Sequence, residues 1–162
     1  MDTSPSPPDP IPAPDAPREA RLTTIAEQVA AIDLLVSLAR ERISVFDGNL
    51  SRGGWESAAR VDALAQFLRT APNARLEIIV HDTRWIETSC ARLTGLLRRY
   101  GHVMTLYKTG QGAQGAMDPL VIVDARHYLH RYHLEQARAT LAIDMPQAAR
   151  PLVTRFEEIW AT

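Results

Sequence analysis

Short apolar stretches alternate along this chain with longer stretches whose apolar residues recur at helical spacing. ISVFD at 43–47 and LEIIV at 76–80 are two of the apolar stretches. Between them, residues 55–69 place Leu64 and Leu68 on one side of a helix. Apolar strands separated by helices are usually buried on both faces of a parallel sheet. The alternation therefore predicts an α/β sandwich.

The same patterns predict the remaining elements. Thr24 and Glu27 form a capping box at the start of the first helix. Helices are predicted over 24–42, 55–69 and 146–161, with a further helix that Thr83 caps and Gly101 stops, and strands over 43–47, 76–80, 102–107, 119–123, 127–134 and 139–143. We therefore predict a single α/β domain. Its central sheet is expected to be mixed and mostly parallel, flanked by helices, with room for antiparallel pairing among the later strands.

The N-terminal segment differs from the rest in composition. Seven of the 11 prolines lie within the first 17 residues, MDTSPSPPDPIPAPDAP. Proline fixes φ, lacks an N–H and disfavours helix in the residue before it, so this stretch cannot join a packed core. We predict that residues 1–20 form a disordered proline-rich tail and residues 21–162 the α/β domain. A solvated spacer is the expected role of the tail, with a docking peptide as the alternative.

Charge and cysteine content narrow the classes of partner. The 162 residues carry 18 basic and 19 acidic side chains, a formal net charge of −1. Such a chain has no overall basic field, so neither nucleic acid nor an anionic membrane is an expected partner. No apolar run approaches the ~20 residues that span a bilayer. Cys90 is the single cysteine and cannot form an internal disulfide, which favours a reducing, cytoplasmic location.

Polar side chains follow several of the predicted strands. In open α/β sheets, ligands bind beyond the carboxyl ends of the strands. The candidate ligand-binding residues at these ends are Asp47, Asn49, His81, Asp82, Arg84, Lys108 and Asp124. Polar residues in such places also cap helices or simply face water, and that reading stays open. The sequence therefore offers a candidate crevice and no assigned ligand.

The run HYLHRYH at 127–133 places three histidines within seven residues. Imidazoles at this density are able to bind zinc or copper. On a strand, His127 and His133 share one face and His130 takes the other, so only His127 and His133 remain as weak metal candidates. With Arg131 beside them, His127 and Arg131 are also candidates for binding an anion. A polar strand with solvated side chains is the simplest alternative, and no cofactor is expected.

Residues 117–124, MDPLVIVD, resemble the motif of phospholipase D-like domains. That motif reads His-x-Lys-x-x-x-x-Asp at the start of an apolar strand. Asp124 matches its last position, whereas Met117 stands at the histidine position and Pro119 at the lysine position. The order of elements over 24–161 is also similar. Small uncharacterised bacterial domains of this type, sometimes attached to an N-acetyltransferase, resemble the chain more than the superfamily in general does.

The resemblance implies a degenerate member of the phospholipase D-like superfamily. The family histidine forms a covalent phospho-intermediate and the lysine binds the phosphate, and neither Met117 nor Pro119 can do so. A pseudoenzyme that acts as a binding or regulatory module is therefore expected, with a small anionic ligand or a protein as its partner. Because family sites are assembled from two such halves, the resemblance also implies a homodimer. The alternative is a metal-assisted hydrolase or a phosphodiester-processing enzyme that uses His81, Asp82 and the 127–133 region.

Overall fold

The fold was analysed in a computed structural model that describes residue 13 and residues 15–162. These residues form seven strands and five α-helices. The elements are β1 (Arg18–Leu22), α1 (Ile25–Leu38), β2 (Arg42–Asp47), α2 (Ala58–Thr70), β3 (Arg75–Val80), α3 (Arg84–Ser89), α4 (Ala91–Arg99), β4 (Met104–Lys108), β5 (Leu120–Val123), β6 (His127–Arg131), β7 (Ala139–Ile143) and α5 (Pro146–Trp160). The α/β class and the single mixed sheet predicted from the sequence are confirmed.

The strands form one sheet in the order β1-β7-β6-β5-β2-β3-β4. Pairing is parallel only between β2 and β3 and between β3 and β4. The other four pairings are antiparallel. The sheet is therefore less parallel than predicted, because β5, β6 and β7 follow one another through short connections. A parallel neighbour requires a crossover of a dozen or more residues, usually a helix.

The sheet is covered on both faces, and each face has its own core. Val45 and Ile78 belong to a large cluster with buried residues of α1, α2 and α4. Their strand neighbours Phe46 and Ile79 belong to a second cluster with buried residues of α5. Successive side chains of a strand point to opposite faces, so one apolar stretch feeds both cores. We call the two sides of the sheet the α1 face and the α5 face.

Helix α1 begins as predicted and ends earlier. Thr24 caps it, and the Glu27 side chain accepts the Thr24 N–H in return, which completes the capping box. The helix ends at Leu38, before the predicted end at residue 42, because Ala39 is extended. Residues 40–42 instead donate their N–H groups to Asp124, a contact that no local pattern shows.

The third predicted helix is broken in two at Cys90, whose φ and ψ are −118° and 58°. The Glu56 carboxylate accepts the N–H groups of Arg92 and Leu93, at 3.0 and 2.9 Å, and so caps α4 from a distant loop. Thr83 precedes α3 and makes no side-chain cap bond, contrary to the prediction. Cys90 itself is buried between the two helices.

Strand β1 is absent from the predicted elements. It pairs antiparallel with β7, with Arg18 opposite Ile143 and Leu22 opposite Ala139. Three of its residues, 18–20, fall within the stretch assigned to the tail, so the folded domain starts before residue 21. All of its residues except Leu22 are exposed, and an exposed edge strand has no apolar alternation to detect. Residues 1–12 and residue 14 of the predicted tail lie outside the described residues.

Candidate functional site

A cavity of about 340 Å³ lies at the carboxyl ends of β2 and β3. Parallel pairing sets the ends of these two strands side by side, with Asp47 opposite Val80. Strand β6 runs in the same direction as β2, because both pair antiparallel with β5, and its last residue reaches the same edge. Five sequence-predicted residues therefore meet there: Asp47, Asn49, His81, Asp82 and Arg131.

Asp47 and Arg131 form a buried ion pair in this cavity. The Arg131 guanidinium lies 3.5 Å from Asp47 Oδ1, and both side chains are almost fully buried. Asp47 Oδ1 also accepts the Gly48 N–H at 2.6 Å. Arg131 donates to the carbonyls of His133 and Leu134, at 3.2 and 2.8 Å, which fix its guanidinium. This pair joins β2 to the loop after β6.

Burial dominates the charge state of the pair. Burial raises the pKa of Asp47, although the charge of Arg131 and the Gly48 N–H act in the opposite direction. Burial likewise lowers the pKa of Arg131, against the attraction of Asp47. Removing either partner would leave the other buried and uncompensated, which is strongly destabilising in proteins. The ion pair between Asp47 and Arg131 therefore stabilises the cavity and limits the net charge inside it.

The rim of the cavity carries a second acid, Asp82. Arg84 Nε and Nη2 donate to its carboxylate at 2.9 and 2.5 Å, and these hydrogen bonds lower the pKa of Asp82 to about 2. Asp82 is thus ionised at neutral pH and neutralised by Arg84. Lys108 lies at the end of β4, opposite Val80, where its charge also acts on Asp82. Of the three predicted cations, Arg84 and Lys108 lie beside the cavity, and Arg131 lies in it.

Both ring nitrogens of His81 are occupied. Nε2 donates to the Ala116 carbonyl at 2.7 Å, and Nδ1 lies 2.7 Å from Thr109 Oγ1. Gln114 donates to the same Thr109 hydroxyl at 3.1 Å, so the hydroxyl oxygen joins His81 to Gln114. These bonds tie the loop 109–116 to β3. His81 lines the cavity, but in this arrangement it holds a loop in place and has no free nitrogen for a metal.

Asp124 lies at the opposite end of the strands, which corrects its predicted place in the crevice, and His127, a candidate from the 127–133 run, lies there too. The reason is that β5 is antiparallel to β2, so its carboxyl end meets the amino end of β2. Asp124 accepts three backbone N–H groups, from residues 40–42. His127 Nδ1 accepts the Asp144 N–H at 2.8 Å. Burial, followed by the charge of Arg126, lowers the pKa of His127.

The histidines of the 127–133 run do not converge. Strand β6 ends at Arg131, so His133 belongs to the following loop, where it accepts the Glu135 N–H. The shared face predicted for His127 and His133 is therefore wrong. His130 Nε2 instead pairs with Asp118 Oδ2 at 2.8 Å. Within residue 13 and residues 15–162, no three His, Cys, Asp or Glu side chains come together to hold a metal ion.

The sequence analysis missed one arginine of this cavity and one arginine outside it. Arg52 lines the cavity from the loop after β2, only three positions beyond Asn49, and its place in that loop is a usable signal. Arg155 is different, because it reaches Asp118 from α5 and no local pattern joins them. Burial raises the pKa of Asp118, but hydrogen bonds from Arg155 and His130 outweigh it and lower the pKa.

Known structures share this arrangement of strands and helices. NucT from Helicobacter pylori matches with a TM-score of 0.61 and 13% identity, over 90% of this chain and 96% of that chain. Nuc from Salmonella typhimurium, a phospholipase D family member, matches with 0.57 and 15%, over 89% and 95%. The fold is therefore that of a phospholipase D-like α/β domain, as the resemblance implied.

A third similar structure is TrmBL2, an archaeal chromatin protein with a novel mode of DNA binding. Its TM-score is 0.65 at 12% identity, over 89% of this chain and 52% of that chain. This chain thus spans about half the length of TrmBL2. At identities this low, all three likenesses establish the fold alone.

Comparison of the sequence with family models gives a narrower assignment than the fold does. Residues 24–162 match the model of a domain of unknown function, DUF7931, and the chain belongs to that family. No curated protein matches the sequence. Among residue 13 and residues 15–162, no helix has the length and apolar character needed to cross a membrane.

Proposed function

We propose that this chain is a non-catalytic binding or regulatory module whose strand-end cavity takes a small anionic ligand. The observation that carries the proposal is the pair of residues at the motif positions, Met117 and Pro119. A thioether cannot form the phospho-intermediate of an imidazole, and proline supplies no cation for a phosphate. The fold is then retained without the groups that its catalytic relatives need.

The charges around the cavity favour an anion. Asp47 is paired with Arg131, and Asp82 is paired with Arg84. Arg52 lines the same cavity and forms no ion pair with another described residue. Asn49 Oδ1 accepts the Ser51 N–H at 3.0 Å, which leaves the Asn49 amide N–H₂ group to donate elsewhere. One unpaired guanidinium and one amide donor in a single loop suit a phosphate or carboxylate.

Titration calorimetry with inorganic phosphate tests this ligand class. We expect the wild-type chain to bind phosphate with a Kd of about 1 mM, and the Arg52→Gln variant to lose the signal. Arg69→Gln removes an arginine of α2 that is also exposed and serves as the matched control. Phosphate binding that is unchanged in Arg52→Gln, or absent from the wild type, would contradict the proposed ligand.

The absence of catalysis has its own test. Purified chain should hydrolyse bis(p-nitrophenyl) phosphate no faster than buffer. The alternative is a metal-assisted hydrolase built on His81, Asp82 and residues 127–133, and it predicts bound zinc in elemental analysis of untagged protein. Turnover that survives repurification and disappears in a His130→Ala variant would overturn the pseudoenzyme proposal.

We also propose a homodimer whose two-fold axis lies beside residues 117–133. Met117 and Tyr132 are 40% and 46% exposed, large for apolar side chains, and both fall within this range. Methionine and tyrosine are enriched in interfaces between proteins. Light scattering should give twice the mass of one chain, and a Met117→Glu/Tyr132→Glu variant the mass of one. Gln66→Glu/Thr70→Glu on α2 is the charge-matched control. A wild-type mass of one chain at high micromolar concentration would exclude the dimer.

We do not propose nucleic acid as a partner, because a net charge of −1 supplies no basic field. A mobility shift with duplex DNA that weakens steeply as salt rises would contradict that exclusion.

A further inference from the structure

A second cavity, of about 610 Å³, lies at the other end of the sheet, on the α5 face. Its floor is formed by residues near the amino ends of β2 and β3, and α5 forms one wall. Its volume is within the usual range for small-molecule sites, ~300–1,000 Å³. It shares no lining residue with the strand-end cavity, so the two are separate features.

Two polar side chains lie on its floor, at positions that the sheet pattern would fill with apolar residues. Ser44 pairs in register with Glu77 on one side and with Ile122 on the other. Two residues further along the same face, Phe46 and Ile79 are fully buried and apolar. Ser44 is only 6% exposed. Places where a residue breaks the local pattern without a compensating contact are often functional.

Neither side chain has a hydrogen-bond partner among the described residues. Glu77 Oε1 is buried without a hydrogen bond, and Arg42 Nε lies 3.3 Å away as an ion-pair partner only. No hydrogen bond links Glu77 Oε2 or the Ser44 hydroxyl to another described residue. The Glu77 side chain keeps 19% of its surface exposed, which leaves the carboxylate within reach of a ligand. Oε1 is enclosed beside Arg42, so Oε2 and the Ser44 hydroxyl are the acceptors that a donating ligand would gain from meeting.

Helix α5 supplies an aromatic wall. Phe156 and Trp160 stack one helical turn apart, with ring centroids 5.7 Å apart and an interplanar angle of 27°. Tyr107 also packs against Trp160, with ring centroids 4.7 Å apart. Val153 extends the same wall by a further turn. Phe156 is buried, so the partly exposed Trp160 ring and Val153 give the cavity a rigid apolar wall that the edge of a planar ring can meet.

We propose that this cavity binds a planar, ring-containing ligand whose adjacent N–H donors meet the Glu77 carboxylate and the Ser44 hydroxyl. One N–H group reaches Glu77 Oε2 and its neighbour reaches the Ser44 hydroxyl, since Glu77 Oε1 is buried beside Arg42. Because Arg42 already offsets the charge of Glu77, the ligand need not be a cation. Aminated heteroaromatic rings have this chemistry, and the proposal does not depend on what the strand-end cavity binds.

Calorimetry with a matched pair of small probes tests it on the full chain. 2-Aminobenzimidazole presents the N–H edge, whereas 2-methylbenzimidazole has the same shape without the amino group. We expect the amino probe to bind with a Kd of about 1 mM, a typical affinity for roughly ten non-hydrogen atoms, and at least ~10-fold more tightly than the methyl probe.

Variants locate the binding. Glu77→Gln should weaken the amino probe by at least ~10-fold, and Glu19→Gln, an exposed glutamate on β1, should leave it unchanged. Val153→Trp should block the cavity and abolish binding even if Glu77→Gln fails to fold. Equal binding of the two probes, unchanged binding in Glu77→Gln or Val153→Trp, or no binding at about 10 mM would each overturn the proposal.

Discussion

Replacing Asp124 by alanine is expected to destabilise the domain by about 3–4 kcal/mol. Asp124 Oδ1 accepts the N–H groups of Glu41 and Arg42 at 2.8 Å, and Oδ2 accepts that of Arg40 at 2.9 Å. A hydrogen bond to a charged group contributes roughly 1.5–3 kcal/mol, and we take about 1 kcal/mol for each because water reaches these donors after the change. Asp124 also has a φ of 55°, which costs alanine roughly a further 1 kcal/mol.

Two further substitutions separate these contributions. Asparagine tolerates the positive φ and keeps one acceptor oxygen, so Asp124→Asn should cost about half as much as Asp124→Ala. Asp124→Gly removes the strain and all three hydrogen bonds together, and should fall between the two in stability. Urea unfolding followed by tryptophan fluorescence measures all three, and the Asp124→Ala melting temperature should fall by about 10 °C. An Asp124→Ala loss below about 1 kcal/mol, or equal losses for asparagine and alanine, would refute a capping role.

Three further outcomes are expected. The free energy of unfolding should be highest above pH 6.5, the ordinary pKa of His127, and should decline as the pH falls below it. The reason is that the pKa of His127 is lowered in the folded chain, so the unfolded chain binds the proton first. Urea unfolding across pH 5–8 should lose this dependence on pH in His127→Gln. Arg60→Met should lower the unfolding free energy by roughly 2–3 kcal/mol, since it strands the Gly53 carbonyl and removes the hydrogen bonds of Arg60 to the Val29 carbonyl and the Asp33 carboxylate; a loss below that range would contradict the role of this buried arginine. Burial raises the pKa of Cys90 to about 11, so a thiol reagent at pH 8 should label the native chain far more slowly than the urea-unfolded chain, and equal rates would show that Cys90 is accessible.

The local elements were predictable because their signals are local. The predicted strands 43–47 and 76–80 match β2 and β3 to within one residue, since each is an apolar stretch bounded by polar residues. The capping box of α1 was also correct, because its two residues are three positions apart. Strand β1 was missed because its signal is not local: it is held by pairing with β7 and buries only Leu22.

The candidate site was predictable in composition and only partly in place. Parallel pairing brought Asp47, His81 and Asp82 together as expected, because helical crossovers fix the direction of β2 and β3. The direction of β5 depends on how the loop after β4 returns to the sheet, and no residue pattern states it. Asp124 was therefore predicted at the wrong end of the strands.

The sequence by itself determined the α/β class and the positions of most elements. Tertiary structure alone decided that Arg131 meets Asp47 and that Ser44 and Glu77 share the floor of a second cavity. Secondary structure follows from neighbours a few positions apart, where propensity, capping and periodicity act. A site joins residues that lie far apart in the sequence, and their meeting depends on strand order and direction, which only the packed sheet sets.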